Sequence, residues 1–385
     1  MRRRRGWAAA GQLVAATVCA ALVVACSKSG PRATTSPSTA APDRLPAAIA
    51  GVMNSDTTLE NVRAIIVNVN GRTRFERYYS SSPDESRSTF SVTKSVTSTL
   101  VGIAISEGRL RLDERLSQML PRYAPEMKPS VAAVTLRQLL TMTAGFTDTW
   151  DLTDDPIVTS PDWVRYALAH QDYAPGTEFH YSDHGAHLLA PILVQATGQS
   201  VLAYARAKLF DPLGIVTRPG AEPTFDPQAA SPPPEYVKAR FAWPIDPQRF
   251  HMTEALIKLR PRDMATFGQL FLQGGEWNRR QVVPAAWVAQ ATTAQAGKAF
   301  PLIESGTFNP TNYGYFWWVE PTTGLPAYYA WGYGGQLVEV VPSLHLVIVM
   351  SSYVDETNAH PTVGLGEAQS LVDAIAPIIK THPTR

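Results

Sequence analysis

β-Branched and aromatic residues crowd Asn61 to Val69 and again Thr73 to Tyr79, with Asn70-Gly71 between them, the strongest short signal for a β-hairpin. The pattern then changes period. Ser95 to Glu107 reads as a helix stopped by Gly108, and Arg109 to Ile157 alternates amphipathic pieces with turns, with Thr135 placed to cap a short helix over Leu136 to Leu140. Gly185 to Thr197 reads as a helix ended by Gly198, and Arg262 to Gln273 as another ended by Gly274-Gly275, with Arg262 and Asp263 setting its start. Strands return in Tyr313 to Val319, Gln336 to Val341 and His345 to Ser351, followed by an amphipathic helix from Glu367 to Lys380. Strands at both ends with helices between predict an α+β fold. In it the N- and C-terminal strands share one antiparallel sheet, the helical middle forms an inserted lobe, and a cleft lies at their junction.

Between the helices, Pro219 to Pro247 is dense in proline and includes Pro232-Pro233-Pro234, which can continue neither a helix nor a central strand. It reads as a long irregular excursion, either a plain surface loop or a wall over a site.

The N-terminus stands apart from this pattern. Arg2 to Arg5 form a positive segment, Ala8 to Val24 an apolar one, and Val23-Val24-Ala25-Cys26 has the small residues before cysteine of a bacterial lipobox. Residues 1–26 are therefore expected to be a lipoprotein signal peptide with Cys26 lipidated, an uncleaved membrane anchor being the other reading of the apolar run. Residues 27–46, rich in Ser, Thr, Ala and Pro, read as a flexible tether, and residues 47–385 as the exported domain. Export with a lipid anchor on the extracytoplasmic face of a bacterial membrane follows as the expectation.

Composition narrows the chemistry. The 385 residues, 45% hydrophobic and 17% charged, can bury a full core, and a formal net charge of +1 leaves no electrostatic footprint for nucleic acid. Both cysteines, Cys19 and Cys26, fall in the N-terminal segment, so the domain has no thiol for a disulfide, a nucleophile or a zinc site. Oxygen or nitrogen must do the work. Ser91-Val92-Thr93-Lys94 offers both: the serine and lysine fall one helical turn apart on one face, which brings an amine beside a hydroxyl that is a poor nucleophile by itself. His180, His184 and His187 invite a metal reading, but without an H-E-x-x-H glutamate they read better as surface or loop histidines, with His184 a possible part of a substrate wall.

With those pieces in order, the chain resembles the serine β-lactamase and penicillin-binding-protein superfamily, in the branch of class C β-lactamases, D-amino-acid carboxypeptidases, esterases and 6-aminohexanoate oligomer hydrolases. The likeness runs from about Arg63 to the C-terminal helix. It rests on Phe90-Ser91-Val92-Thr93-Lys94-Ser95, Leu136-Arg137-Gln138-Leu139-Leu140 with Thr143-Ala144-Gly145, Pro175-Gly176-Thr177 before Tyr181-Ser182-Asp183, Arg262-Asp263-Met264-Ala265 with Gly268, and Tyr313-Gly314-Tyr315. The resemblance implies Ser91 as nucleophile, with Lys94 and Tyr181 as proton-transfer groups. It further implies an oxyanion hole from the Ser91 and Tyr333 amides and a pocket lined by Trp150, Asp183, Tyr315, Trp331, Gly332 and Gly335.

Two departures from the family pattern shape the expectation. Asp183 stands where the second motif has asparagine, and Ala330 stands where the third has a lysine or histidine to greet a substrate carboxylate. Ester or amide hydrolysis through an acyl-enzyme, without metal or cofactor, is therefore expected on a small-molecule or peptide substrate. The alternative is a penicillin-binding-like acylated sensor, or a D-alanyl peptidase or β-lactamase.

Overall fold

The computed structural model describes residues 43–148, 155–226, 232–295, 312–354 and 362–381. Within them, strands from the two ends of the chain meet in one sheet: β1 (Val62–Val69), β2 (Arg72–Tyr78), β3 (Trp318–Val319), β4 (Tyr328–Gly332), β5 (Gln336–Val341) and β6 (Leu346–Ser352). The spatial order is β2-β1-β6-β5-β4-β3 and every pairing is antiparallel, with Ile66 opposite Val349, Val349 opposite Val338 and Val338 opposite Ala330. The expected join of N- and C-terminal strands around inserted helices is the observed one.

Local sequence accounts for much of it. The turn between β1 and β2 takes Asn70 at φ 54° and Gly71 at φ 71°, the two positive values a type I′ hairpin requires. Helix α1 (Leu45–Ser55) was not anticipated: it starts within the last two residues of the segment read as tether, with Pro46 at the first turn and Leu45 and Ile49 fully buried. Alanine and proline mark a tether by composition, yet alanine is also the best helix former, and proline at a helix start gives up no hydrogen bond.

Helix α2 (Val92–Ser106) carries the Ser-x-x-Lys tetrad at its first turn and is buried along nearly its whole length. The single helix expected over Gly185 to Thr197 is two pieces, α3 (Asp183–His187) and α4 (Leu189–Thr197). Ser182 caps α3 by accepting from the Gly185 N–H at 3.0 Å.

Helix α5 (Pro261–Leu272) and α6 (Leu365–Thr381) cover opposite faces of the sheet. Gly268 of α5 sits against Val338, whereas the next residue, Glu339, faces the charge of Asp373 on α6. Asp263 accepts from the Arg260 backbone N–H and guanidinium, which is the structural role expected of it at the helix start.

Two expectations, one for a strand and one for a loop, shift. Tyr313 to Val319 pairs with the sheet only at Trp318–Val319, because Phe316 takes a positive φ of 59° and turns the chain. The proline-dense excursion folds back into the body, burying Phe241, Trp243 and Ile245, with a short helix over Pro234–Lys238.

Candidate active site

Ser91 occupies the residue before the first turn of α2, and Phe90 in front of it holds a positive φ of 44°. Such a backbone is uncommon for a bulky residue and persists only where surrounding contacts fix it. Here Thr89 is tied twice to one acceptor: its N–H and hydroxyl both donate to the Ile257 carbonyl, at 2.8 and 3.0 Å.

Lys94, one turn further on, is 1% exposed. Its ammonium donates to Ser91 Oγ at 2.9 Å, to the Glu254 carbonyl at 2.9 Å and to Asp183 Oδ1. Three donors thus meet three acceptors, the full complement of a protonated amine. The same nitrogen lies 4.7 Å from the centre of the Tyr181 ring, over its face. Tyr181 in turn stacks on Trp318 at 5.8 Å with ring planes 6° apart, and meets the buried Tyr313 edge-on at 6.3 Å. Ser91, Lys94, Tyr181 and Asp183 therefore converge although up to 92 positions separate them in the chain.

Acidic groups surround the lysine on its open side. The Asp183 N–H donates to Asp148, and burial together with the Asp183 charge pushes the Asp148 carboxyl up to about 6. Sequence reasoning missed Asp148, which sits in no recognisable pattern. It also missed Glu254, whose contribution is a main-chain carbonyl and leaves no trace in residue type.

The histidines depart from the expectation of surface or loop positions. His184 is buried and faces Asp155 at 2.9 Å. Burial disfavours its charged form, but the hydrogen bond to Asp155 and the charges of Asp155, Asp148 and Asp183 outweigh that and raise its pKa. His187 is buried between Asp246 and Glu254. Only His180 keeps to the periphery, stacked on Tyr173 at 3.9 Å and facing Glu178.

The other expected residues divide. The end of β4 runs against the nucleophile's turn: a Cβ added to Gly332 would lie 2.1 Å from the Thr89 carbonyl, so only glycine allows this approach. Tyr333 is half exposed, with its ring 5.7 Å from that of Phe90, and Trp331 is partly exposed on the same strand end. Gly335, at φ 88°, packs on Ser352 and Val363, so it shapes the hairpin after β4. Gln336 beside it bonds Ser351 and Ser352 and staples β5 to β6. Tyr315 is placed elsewhere than expected: its ring lies 5.1 Å from that of Trp287, which itself packs on Gly102 of α2, and its hydroxyl accepts from Arg137. Its position is a core one: the side chain is fully buried and its N–H donates to the Ala291 carbonyl at 3.0 Å. Trp150 lies outside the described residues, as does Cys26.

Chemically, a hydroxyl, a buried amine, a phenol and a carboxylate within one cluster can move a proton off an attacking oxygen and onto a leaving group.

Comparison with known proteins gives this geometry its context. A family model described as Beta-lactamase matches residues 59–368. Penicillin-binding protein 4 of Amycolatopsis lactamdurans is 27% identical over 283 residues, covering 68% of this chain and 70% of its own. Among solved structures, a Bacillus anthracis chain assigned as a 6-aminohexanoate-dimer hydrolase superposes with a TM-score of 0.62 at 19% identity, covering 86% of this chain and 81% of its own. The hydrolase EstCE1, described as having promiscuous acyltransferase activity, superposes with a TM-score of 0.64 at 19% identity, over 86% of this chain and 98% of its own.

Proposed function

The chain belongs to the Beta-lactamase family, and within it we propose that this protein is an exported, lipid-anchored serine hydrolase that cleaves an ester or amide through an acyl-enzyme on Ser91. The observation that carries the reading is the 2.9 Å contact between Ser91 Oγ and a lysine amine buried to 1% exposure.

The resting hydrogen bonds set the order of events. Lys94 donates to Ser91, so before it can take the serine proton it must lose one of its own to solvent, a loss that the bonded Asp183 carboxylate opposes. Ser91 Oγ then bonds to the substrate carbonyl carbon as its proton passes to Lys94. The developing oxyanion is taken by the main-chain N–H groups of Ser91 and Tyr333, a contribution on the order of a few kcal/mol. The close approach of Gly332 to Thr89 supports that pairing. Tyr181, in the field of the Lys94 ammonium, gives a proton to the leaving alcohol or amine as the carbonyl–leaving-group bond breaks, and takes one back from that ammonium. Water then adds to the acyl carbon as one of its protons passes to the neutral Lys94, and the Ser91 Oγ–acyl bond breaks as that proton passes on to Ser91, releasing the carboxylic acid.

Esters and short amides lacking an essential carboxylate fit the site better than β-lactams do. Ala330 is buried within β4, and carboxylates crowd the amine. The test is purified domain against p-nitrophenyl esters, nitrocefin and D-alanyl peptides, with a fluorophosphonate probe reporting Ser91. Turnover of esters is the expected result. Labelling without turnover of any of them favours the acylated sensor, and an unlabelled Ser91 overturns the mechanism.

A further inference from the structure

Directly behind Lys94 lies a buried cluster that the chemistry above does not use. His187, the last residue of α3, donates from Nδ1 to Glu254 Oε2 at 2.9 Å and from Nε2 to Asp246 Oδ2 at 3.0 Å. The three side chains are 1%, 2% and 0% exposed. An imidazole that donates from both nitrogens is an imidazolium, and a buried cation is tolerated only where paired charge and hydrogen bonds replace its water.

Both carboxylates belong to one stretch of chain that crosses α2. Asp246 closes a turn on itself, its Oδ1 accepting from the Phe250 N–H at 2.8 Å and its own N–H donating to the Phe250 carbonyl at 2.8 Å. Trp243 Nε1 donates to the Met252 carbonyl at 2.8 Å. Thr253 Oγ1 donates to the Ala186 carbonyl at 2.9 Å, tying the stretch to α3 one residue before His187. The next two carbonyls then turn to α2: Thr253 O accepts from Thr97 Oγ1 at 2.7 Å, and Glu254 O from Lys94 Nζ at 2.9 Å.

Resting on the Ser91–Lys94 reading, we propose that His187 is a positioning residue: its contacts to Asp246 and Glu254 clamp this stretch so that the Glu254 carbonyl is aimed at the Lys94 amine and holds it beside Ser91. The physical need is clear. A lysine has four rotatable side-chain bonds, and two of its acceptors, Ser91 and Asp183, sit toward the open side. The carbonyl is the contact from behind that fixes where the amine points. Releasing it leaves a buried N–H without a partner and lets the amine drift from the serine, and displacements on the scale of 1 Å can cost about a hundredfold in rate.

Substituting the side chain of Glu254 tests the clamp, because the carbonyl itself survives every substitution there. Glu254→Met keeps the volume but offers His187 no comparable acceptor, and Glu254→Ala removes the contact altogether. Glu254→Gln retains an oxygen for His187 Nδ1. Each variant is assayed for the rate at which an activated p-nitrophenyl ester acylates Ser91 per active site, with the active fraction counted by fluorophosphonate labelling and KM measured alongside. Whichever of the Met and Ala variants unfolds cooperatively should acylate about 10- to 100-fold more slowly with KM within about threefold, and Gln should recover most of the loss. A variant that loses thermal stability but acylates at the parental rate per active site overturns the clamp, as does a Gln variant as slow as Met. If the parent itself is not labelled at Ser91, the hydrolase reading has failed instead.

Discussion

The imidazolium at His187 makes a pH-dependent contribution to stability whose sign follows from the structure. Burial by itself would strip the proton, but the Glu254 and Asp246 carboxylates outweigh it and hold the pKa up to about 10, against an ordinary 6.5. A folded-state pKa above the unfolded one means that the native protein holds a proton the unfolded chain has released. The stabilisation is therefore complete below pH 6.5 and is lost as pH climbs toward about 10. In the window between them, one extra bound proton corresponds to about 1.4 kcal/mol per pH unit, or roughly 3 kcal/mol between pH 7 and pH 9. The buried Trp163 ring, T-shaped to the imidazole at 5.3 Å, adds no competing charge. Urea unfolding of the parent at half-unit steps across this range, beside a chain carrying both Asp246→Asn and Glu254→Gln, isolates the contribution from other groups that titrate when alkaline. The parent should lose stability more steeply by about that amount. Parallel losses in the two proteins would refute a charged His187.

Ser91→Ala should abolish fluorophosphonate labelling and lower turnover by about three to six orders of magnitude, since nucleophile and amine act as a unit. Asp183→Asn removes the carboxylate bonded to Lys94 and should move the acidic limb of the kcat/KM profile down by about one pH unit, the scale of one adjacent charge; a profile overlaying the parent would deny that the Asp183 charge holds the proton on Lys94. Small esters should exceed nitrocefin in kcat/KM by at least about tenfold, equivalent to one missing charge-assisted contact, and the reverse ranking would mean that another cation serves in place of the one absent at Ala330. Globomycin should cause the unprocessed full chain to accumulate, and Cys26→Ser should block palmitate incorporation; equal incorporation would remove the lipobox assignment.

What the sequence could determine was whatever depends on near neighbours. Asn70-Gly71 specifies its hairpin because two adjacent residues must accept positive φ. Ser91 and Lys94 meet because three positions make about one helical turn. Thr135 caps its helix through the Gln138 N–H. Even the α+β layout was legible, since strand-rich ends and a helical middle leave few ways to cover one sheet.

The rest needed contacts that no local pattern encodes. The start of α1 was hidden in a composition shared by tethers and helices, and packing of Leu45 and Ile49 decides between them. Tyr315 looks like a pocket residue from its place in a motif, but contacts with Trp287 and the Arg137 guanidinium put it in the core. His184 and His187 looked like a peripheral or metal-binding pair until their carboxylates arrived from elsewhere in the chain, 59 and 67 positions away for His187. Lys94 completes its hydrogen bonds on a main-chain carbonyl 160 residues distant, a group every residue type carries alike. Charge pairing and backbone acceptors act through space and not along the chain, so tertiary structure alone decides which amine is held, by what, and how firmly.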